Sequence, residues 1–261
     1  MPTKGKGSLT ARPTDLKFEA AAGYYDLDAL TVVGENPDIN GTTEDIWDAG
    51  GIWVPPTVAR IHDIVSTSTD DAAAGSGLRT VLVRGLDTDL LEQQEVVTLD
   101  GTDDVATTNS YRFISELRGL TVGAGGVNVG TVTATAQTDA TVSVQMAIGR
   151  NLSCLGIHIV PSNKEAYLTR LLFGFNSTIG ALTSTIDGVL ATQVPFQGTD
   201  VAIVSSAPGR LTRNVLPVQE THFDPYVKFP PISLIKMQGT NASSTNNNMI
   251  GVMQFVQDRI V

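Results

Sequence analysis

Glu44-Asp-Ile-Trp-Asp-Ala-Gly-Gly-Ile-Trp53 opens a stretch that runs to Thr135 and reads as short β-strands cut by turn signals. Leu78-Arg-Thr-Val-Leu-Val-Arg-Gly-Leu-Asp87, Gln94-Glu-Val-Val-Thr-Leu-Asp-Gly101 and Gly130-Thr-Val-Thr-Ala-Thr135 follow it. Apolar residues and threonines alternate at a period of two, and Asp-Gly or Gly-Leu-Asp ends the runs. A chain built this way bears load or presents a surface more often than it catalyses.

The pattern continues on both sides. Arg60 to Val65, Thr80 to Val83, Glu95 to Leu99, Tyr111 to Leu117 and Thr131 to Thr135 fit strands of a first unit, with Pro55-Pro56 at a strand start because proline cannot donate to a ladder. Val142 to Met146, Ser153 to Val160, Glu165 to Asn176, Gly188 to Phe196, Leu211 to Val218, Ile232 to Gln238 and Asn248 to Val256 fit a second unit. The last is apolar enough to be central. Thr240 to Asn248 reads as a polar hairpin tip before it. Short helices fit only near Asp26 to Val32 and Asp87 to Gln93. Residues 1–43 lack a sustained period and read as an arm pinned to its own body or to a neighbour. The expected fold is all-β: two antiparallel β-sandwich (jelly-roll-like) units, residues 44–142 and 143–261, preceded by an extended N-terminal arm, residues 1–43.

Composition narrows the function classes. Apolar residues are 41% of the 261, enough for a packed core, and charged residues are 17%, below the roughly 25% of soluble domains. The net charge of −10 argues against a general nucleic-acid binder, which needs a basic stripe to displace counterions. Lys4, Lys6, Arg12 and Lys17 depart from this at the start of the chain, either as a solvated end or as an arm that docks on an acidic partner. The opening residues carry no apolar signal-peptide core, and no apolar run approaches the roughly 20 residues of a membrane span. Cytoplasmic synthesis and no membrane partner are therefore expected.

The candidate chemistry is sparse. Cys154 is the single cysteine and sits in an apolar run, as a buried structural thiol does. His62, His158 and His222 lack zinc-ligand spacing. Asp70-Asp71, Asp87-Thr-Asp89 and Asp100-Gly-Thr-Asp-Asp104 offer oxygen ligands for calcium, but aspartate beside glycine serves turns equally well. No nucleophile elbow or phosphate-cradling glycine loop is present. The expectation is a chain with no catalytic, cofactor-binding or metal residues. Its packing or interface candidates are Trp47, Trp53, Tyr226 and Phe229. Trp47 and Trp53 around a glycine turn read as core or interface anchors, with a sugar-stacking platform as the alternative.

Two segments resemble a family of structural proteins from tailed bacteriophages. One is Glu44 to Trp53 followed by Asp63 to Thr80 and Val83-Arg-Gly-Leu-Asp87. The other is Phe223-Asp-Pro-Tyr-Val-Lys-Phe-Pro-Pro231, leading to the Ser/Thr/Asn-rich loop and the apolar last strand. The order of the pieces is also similar, so the resemblance covers roughly residues 44–261. It implies a virion component of β-sandwich or jelly-roll architecture and carries over no catalytic residue. The function expected is a head decoration (cement) protein that stabilises the particle through inter-subunit contacts. The alternative is a tail or fibre-associated protein, as an adaptor or as an adhesin whose loops Asn109-Ser110 and Thr240 to Asn248 touch a host surface glycan. A glycan hydrolase lacks a carboxylate pair in an aromatic setting. The expected partners are other virion proteins, major capsid or tail, and further copies in a symmetric homo-oligomer on the particle exterior. Strand Met249 to Val256 is expected to bury as an edge against a partner, and removal of the chain up to about Glu44 is expected to leave the body folded.

Overall fold

The computed structural model describes residues 27–176, 186–193, 196, 218–241 and 247–260. Among them lie fifteen strands and no helix. In chain order they are β1 (Leu27–Ile39), β2 (Glu44–Asp45), β3 (His62–Ser66), β4 (Leu78–Leu86), β5 (Glu92–Thr98), β6 (Val105–Ala106), β7 (Phe113–Val122) and β8 (Val132–Ala136). The second half supplies β9 (Val142–Met146), β10 (Ile157–Ile159), β11 (Lys164–Asn176), β12 (Ile186–Gln193), β13 (Val218–Phe229), β14 (Leu234–Asn241) and β15 (Asn247–Arg259). Every ladder is antiparallel, and the strands form four sheets ordered β1-β15-β11-β13, β10-β14-β12 with β2 on β14, β6-β3-β8-β9, and β5-β4-β7.

The sheet built on β14 is apolar on both faces, because a different core lies against each. Ile157, Ile159 and Leu234 join one core with Trp47, Trp53, Phe113, Leu117 and Met146. Ile235 and Met237 join the other with Ile46, Leu168, Met253 and Phe255. Strand geometry forces this division, since successive side chains point to opposite faces. Between Ile157 and Ile159, His158 turns to the second core, its ring 5.4 Å from Phe255. Strand β9 pairs with β8, and Val144, Met146, Leu155, Ile157 and Ile159 belong to the first core. That core therefore continues past residue 142, where a division between units was expected, and gives way to the second core at Val160.

The Glu44–Trp53 segment sits where the two cores meet. Ile46 enters the second core and Trp47 the first. Ile46 is strung between two strands, its N–H donating to the Met237 carbonyl at 2.8 Å and its carbonyl accepting from Gly156 N at 2.8 Å. The chain then reverses: Gly50 N donates to Trp47 O at 3.0 Å and Asp45 N to Gly51 O at 2.9 Å. Gly50 and Gly51 have φ of 69° and 67°, a region that side chains disfavour. Asp45, with no exposed surface, accepts from Trp53 N at 2.7 Å and Gln238 Nε2 at 2.8 Å and holds Lys236 Nζ at 3.3 Å. Nearby, β1 comes so close that a methyl on Gly34 would collide with the Ile46 carbonyl and the Gly156 backbone.

Several expectations change. The helices expected near Asp26 to Val32 and Asp87 to Gln93 are not helical where described: Leu27–Ile39 is a strand laid along β15, and Glu92–Thr98 is a strand on β4 after an Asp87 turn. Strand β15 is flanked by β1 and β11, so Met249 to Val256 is a central strand and not an edge for a partner. β14 and β15 lie in different sheets, and residues 242–246 of the hairpin tip expected between them lie outside the described residues. The strand expected at Leu211 to Val218 falls mostly outside them too. The arm also divides: residues 1–26 lie outside the described part, whereas β1 matches β15 from Leu27↔Asp258 to Asn36↔Met249. A cut at Glu44 would strip β15 of that whole ladder, so the cut that spares the body falls before Leu27.

Asp45→Ala should remove three hydrogen-bonded partners at once and leave the ammonium of Lys236 half-buried without its counter-charge. The expected loss is about 3 kcal/mol, the scale for breaking one side of a buried ion pair. Urea unfolding monitored by the fluorescence of Trp47 and Trp53 checks it, and a loss under about 1 kcal/mol would show that the clamp is not what joins the cores.

Candidate functional site

A cleft of about 600 Å³ runs beside β1, between its edge, the outward face of the β5-β4-β7 sheet and β10. Leu30, Thr31, Val32 and Val33 line it consecutively. Side chains alternate along a strand, so a run of neighbours meets a cavity where the strand turns its backbone edge toward it. Among the described residues β1 has a strand on one side only, β15. Ile157, His158 and Ile159 of β10, itself the last strand of its sheet, line the cleft in the same way. Leu86, Phe113 and Leu155, all buried in the first core, close its inner end.

Charge is placed on the wall and at the ends. Arg84 stands directly opposite Glu116 in the β4–β7 ladder, with Nη1 3.8 Å from the carboxylate. Arg118 Nε approaches the other oxygen at 2.5 Å, and Arg84 Nε donates to Gln94 Oε1 at 3.2 Å. Beyond one end Lys164 Nζ lies 2.7 Å from both Asp28 and Glu92. Burial works against its charge, and the two carboxylates outweigh burial, so its pKa stays above the ordinary value. Beyond the other end Glu35 takes hydrogen bonds from Arg150 and, at 2.7 Å, from Asn248 Nδ2. The Arg150 bond chiefly holds its carboxyl below the usual range, against the pull of burial.

The buried titratable groups lie outside this charged wall and are occupied by the scaffold. His158 meets Gln257 Nε2 at 2.8 Å on the lining of the cleft, and burial drives its pKa down to about 3. His62 bonds Ser143 Oγ at 2.8 Å through Nε2 and the Arg60 carbonyl at 2.9 Å through Nδ1, and burial takes it to about 4. This serine–histidine pair has no exposed surface, so no substrate reaches it. Asp71, fully buried, accepts from Ser66 Oγ at 2.6 Å and from the amides of Leu78, Val129 and Gly130 at 2.7, 2.9 and 2.8 Å. Burial raises its pKa, and those donors together turn the balance downward. Asp48 goes the other way, to about 6, because burial outweighs the bond from Cys154 N at 2.7 Å. Burial also pushes the Cys154 thiol up. Among the described residues no group of three His, Cys, Asp or Glu is placed to hold a metal, and no helix is long and apolar enough to cross a membrane.

The four sequence candidates do not converge on the cleft. Trp53 packs edge-on to Phe113 at 5.6 Å and donates Nε1 to Ser143 O at 2.9 Å. Trp47 and Trp53 are 5% and 2% exposed, which leaves no ring face for a sugar. Phe229 lies in the second core, 6.4 Å from Phe255. Tyr226 is half-buried in a bulge, where residues 223–226 of β13 face Thr169 alone. Pro225, lacking an N–H, falls in the part that leaves the ladder. Of the expected adhesin loops, Asn109-Ser110 is pinned by Glu95 and Gln93, and most of Thr240 to Asn248 lies outside the described residues. The cleft residues Arg84, Glu116 and Arg118 were missed, because only the β4–β7 register brings them to one face.

The histidines set an acid limit. Both have folded-state pKa values below the ordinary 6.5, so below about 6.5 the unfolded chain binds protons that the fold refuses. Stability should be flat above that pH and fall toward pH 4, by an amount on the order of a few kcal/mol. Asp48, raised from 3.8 to about 6, acts with the opposite sign over the same interval and offsets part of the loss. Urea midpoints measured from pH 8 to pH 4.5 check this, and a His62→Asn, His158→Asn double variant should flatten the slope.

No protein-family model matches the chain, and no curated protein matches it. Among solved structures it is similar to the infectious bursal disease virus VP2 subviral particle, at 11% identity over 91% of this chain and 77% of that one, with a TM-score of 0.23. The structure of the infectious bursal disease virus Gt strain is similar at 12% identity over 90% and 77%, with a TM-score of 0.24. TM-scores this low establish no common fold.

Proposed function

We propose that this chain is a structural subunit of a bacteriophage virion, a capsid decoration (cement) protein that stabilises the particle through contacts between subunits. The observation that carries the reading is where the resemblance to tailed-phage structural proteins falls. Glu44–Trp53 is the junction of the two cores, Asp71 within Asp63 to Thr80 fastens loops by four hydrogen bonds, and Phe223–Pro231 makes the β13 bulge. The residues that carry the resemblance are therefore ones that hold a rigid body together, which supports a structural role.

Two cores on opposite faces of one sheet support the reading of two sandwich-like units with a common wall. Contacts to neighbours have material in Ile52, Val54 and Val58, which are 54%, 54% and 50% exposed beside the Glu44–Trp53 junction, since clustered exposed apolar residues mark interaction sites. Many such weak contacts repeated over a lattice give durable attachment. An acidic body with net charge −10 fits the outside of a particle better than the DNA-filled interior.

The test is cryo-electron microscopy of the intact particle with the full chain and with a chain shortened to begin at Leu27. Density at many copies on the capsid lattice is the expected result, reduced or lost for the shortened chain while its circular dichroism and urea midpoint stay unchanged. Density confined to the tail or fibres would replace decoration by tail assembly or host adhesion.

A further inference from the structure

We propose that Asn40 is a self-modification site, at which the amide nitrogen of Gly41 attacks the Asn40 side chain in the folded protein and converts it to aspartate or isoaspartate. Asn40-Gly41 is the chain's only Asn-Gly pair, and it lies in the turn between β1 and β2. Glycine sets no side chain in the way of its own nitrogen. The Asn40 side chain is already folded over the Gly41 peptide. Its Oδ1 accepts from Thr42 N at 3.0 Å, closing an Asx turn, and from Thr42 Oγ1 at 2.8 Å. Both donors aim at the oxygen on which charge develops when Cγ is attacked, as the donors of an oxyanion hole do. Nδ2, the leaving nitrogen, donates to Glu44 Oε1. No hydrogen bond among the described residues holds the Gly41 amide, and Gly41 and Thr42 are exposed, so water reaches the turn.

The step balances with water as its sole co-reactant. A bond forms between Gly41 N and Asn40 Cγ as the Cγ–Nδ2 bond breaks, and Nδ2 leaves as ammonia with the proton that Gly41 N gives up. Water then opens the cyclic imide at either carbonyl. One opening leaves aspartate, and the other leaves isoaspartate with an extra methylene in the backbone. Either product puts a carboxylate where an amide donor stood beside Glu44. Glu44 is buried, and its Oε2 is committed to Asn36 Nδ2 at 2.9 Å and Gly51 N at 3.1 Å. It cannot turn from the like charge without releasing β1 and the glycine turn. The modification therefore loosens the junction of the two cores, and in one direction, since hydrolysis does not restore the amide.

The test incubates the full-length protein and a free peptide of residues 36–44 at neutral and mildly alkaline pH and follows both by mass spectrometry. The amide-to-acid mass gain should appear at position 40 of the folded chain no more slowly than in the peptide, with isoaspartate detected by isoaspartyl methyltransferase labelling. Asn36-Pro37, in the same tryptic fragment, is the internal control and should stay intact, because the proline nitrogen has no proton to give up. Gly41→Ala should slow both samples about tenfold, the effect of roughly 1.4 kcal/mol on a barrier. Gly41 has no positive φ, so alanine fits its backbone. Thr42→Val removes the hydroxyl donor and should slow the folded chain about threefold while leaving the peptide unchanged. Asn40→Asp should lower the urea midpoint of the full chain. A folded chain that keeps Asn40 intact while the peptide converts, or a Thr42→Val chain that converts at the original rate, would overturn the proposal. An unmoved midpoint in Asn40→Asp would overturn its effect on the junction.

Discussion

Asp45 is the constraint on which the rest of the structure depends. Its carboxylate has no solvent exposure and reaches the Trp53 amide, Gln238 and Lys236. A charge in that position persists only if its partners satisfy it, because an unpaired buried carboxylate is far costlier than the bonds are favourable. The partners come from two places remote in sequence: the turn just after Asp45 and strand β14 almost two hundred residues later. Satisfying the charge therefore requires the Ile46/Trp47 step to sit on β14, and that step sends one side chain into each core.

From this follows the unusual burden on β14 and β10. A sheet with one solvated face alternates apolar with polar, whereas a sheet buried on both faces reads as a nearly continuous apolar run. Leu234-Ile-Lys-Met-Gln238 and Ile157-His-Ile159 keep polar residues only where a partner waits: Lys236 and Gln238 for Asp45, His158 for Gln257. Neither core is closed without this wall. Glycine takes over where backbones meet too closely for side chains, as at Gly34 against Gly156.

Much of the strand content was legible because period-two alternation is a local signal. Val142–Met146 was expected at the limits observed, and the last strand's centrality followed from its continuous apolar character. What sequence could not supply was pairing. Whether Met249 to Val256 lies at an edge depends on β1, more than two hundred residues away, and Leu27 to Ile39 hides its strand nature behind Gly34, Pro37 and scattered acids. Trp47 and Trp53 stood out around their glycine turn, yet Asp45, the aspartate just before them that fastens it, looked like one acid among many. The cleft was illegible for the same reason: Arg84, Glu116 and Arg118 are ordinary outward positions of two strands, and only the arrival of β1 in front of them makes a wall.

The treatment of edges across the sheets is uneven. An exposed strand edge invites pairing with other chains unless it is shortened, bulged, charged or covered. Strand β6 has two residues, β13 carries the Pro225 bulge and Lys228, and β5 presents Glu92 and Glu95. The far side of β7 is taken by residues 151–153, through Gly119 N to Asn151 O at 2.8 Å and Ser153 N to Leu117 O at 3.0 Å. β1 is long, regular from Leu27 to Asn36 and, beside the cleft, lined by Leu30, Thr31, Val32 and Val33 without a charge or a proline. Asp28 and Glu35 flank that stretch, each tied in an ion pair, so among the described residues the unpaired part of the edge is only a few residues long. Among the described residues β1 and β10 keep edges that none of these devices blunts, and both face the same cleft, so the two sheets are left open where they come together.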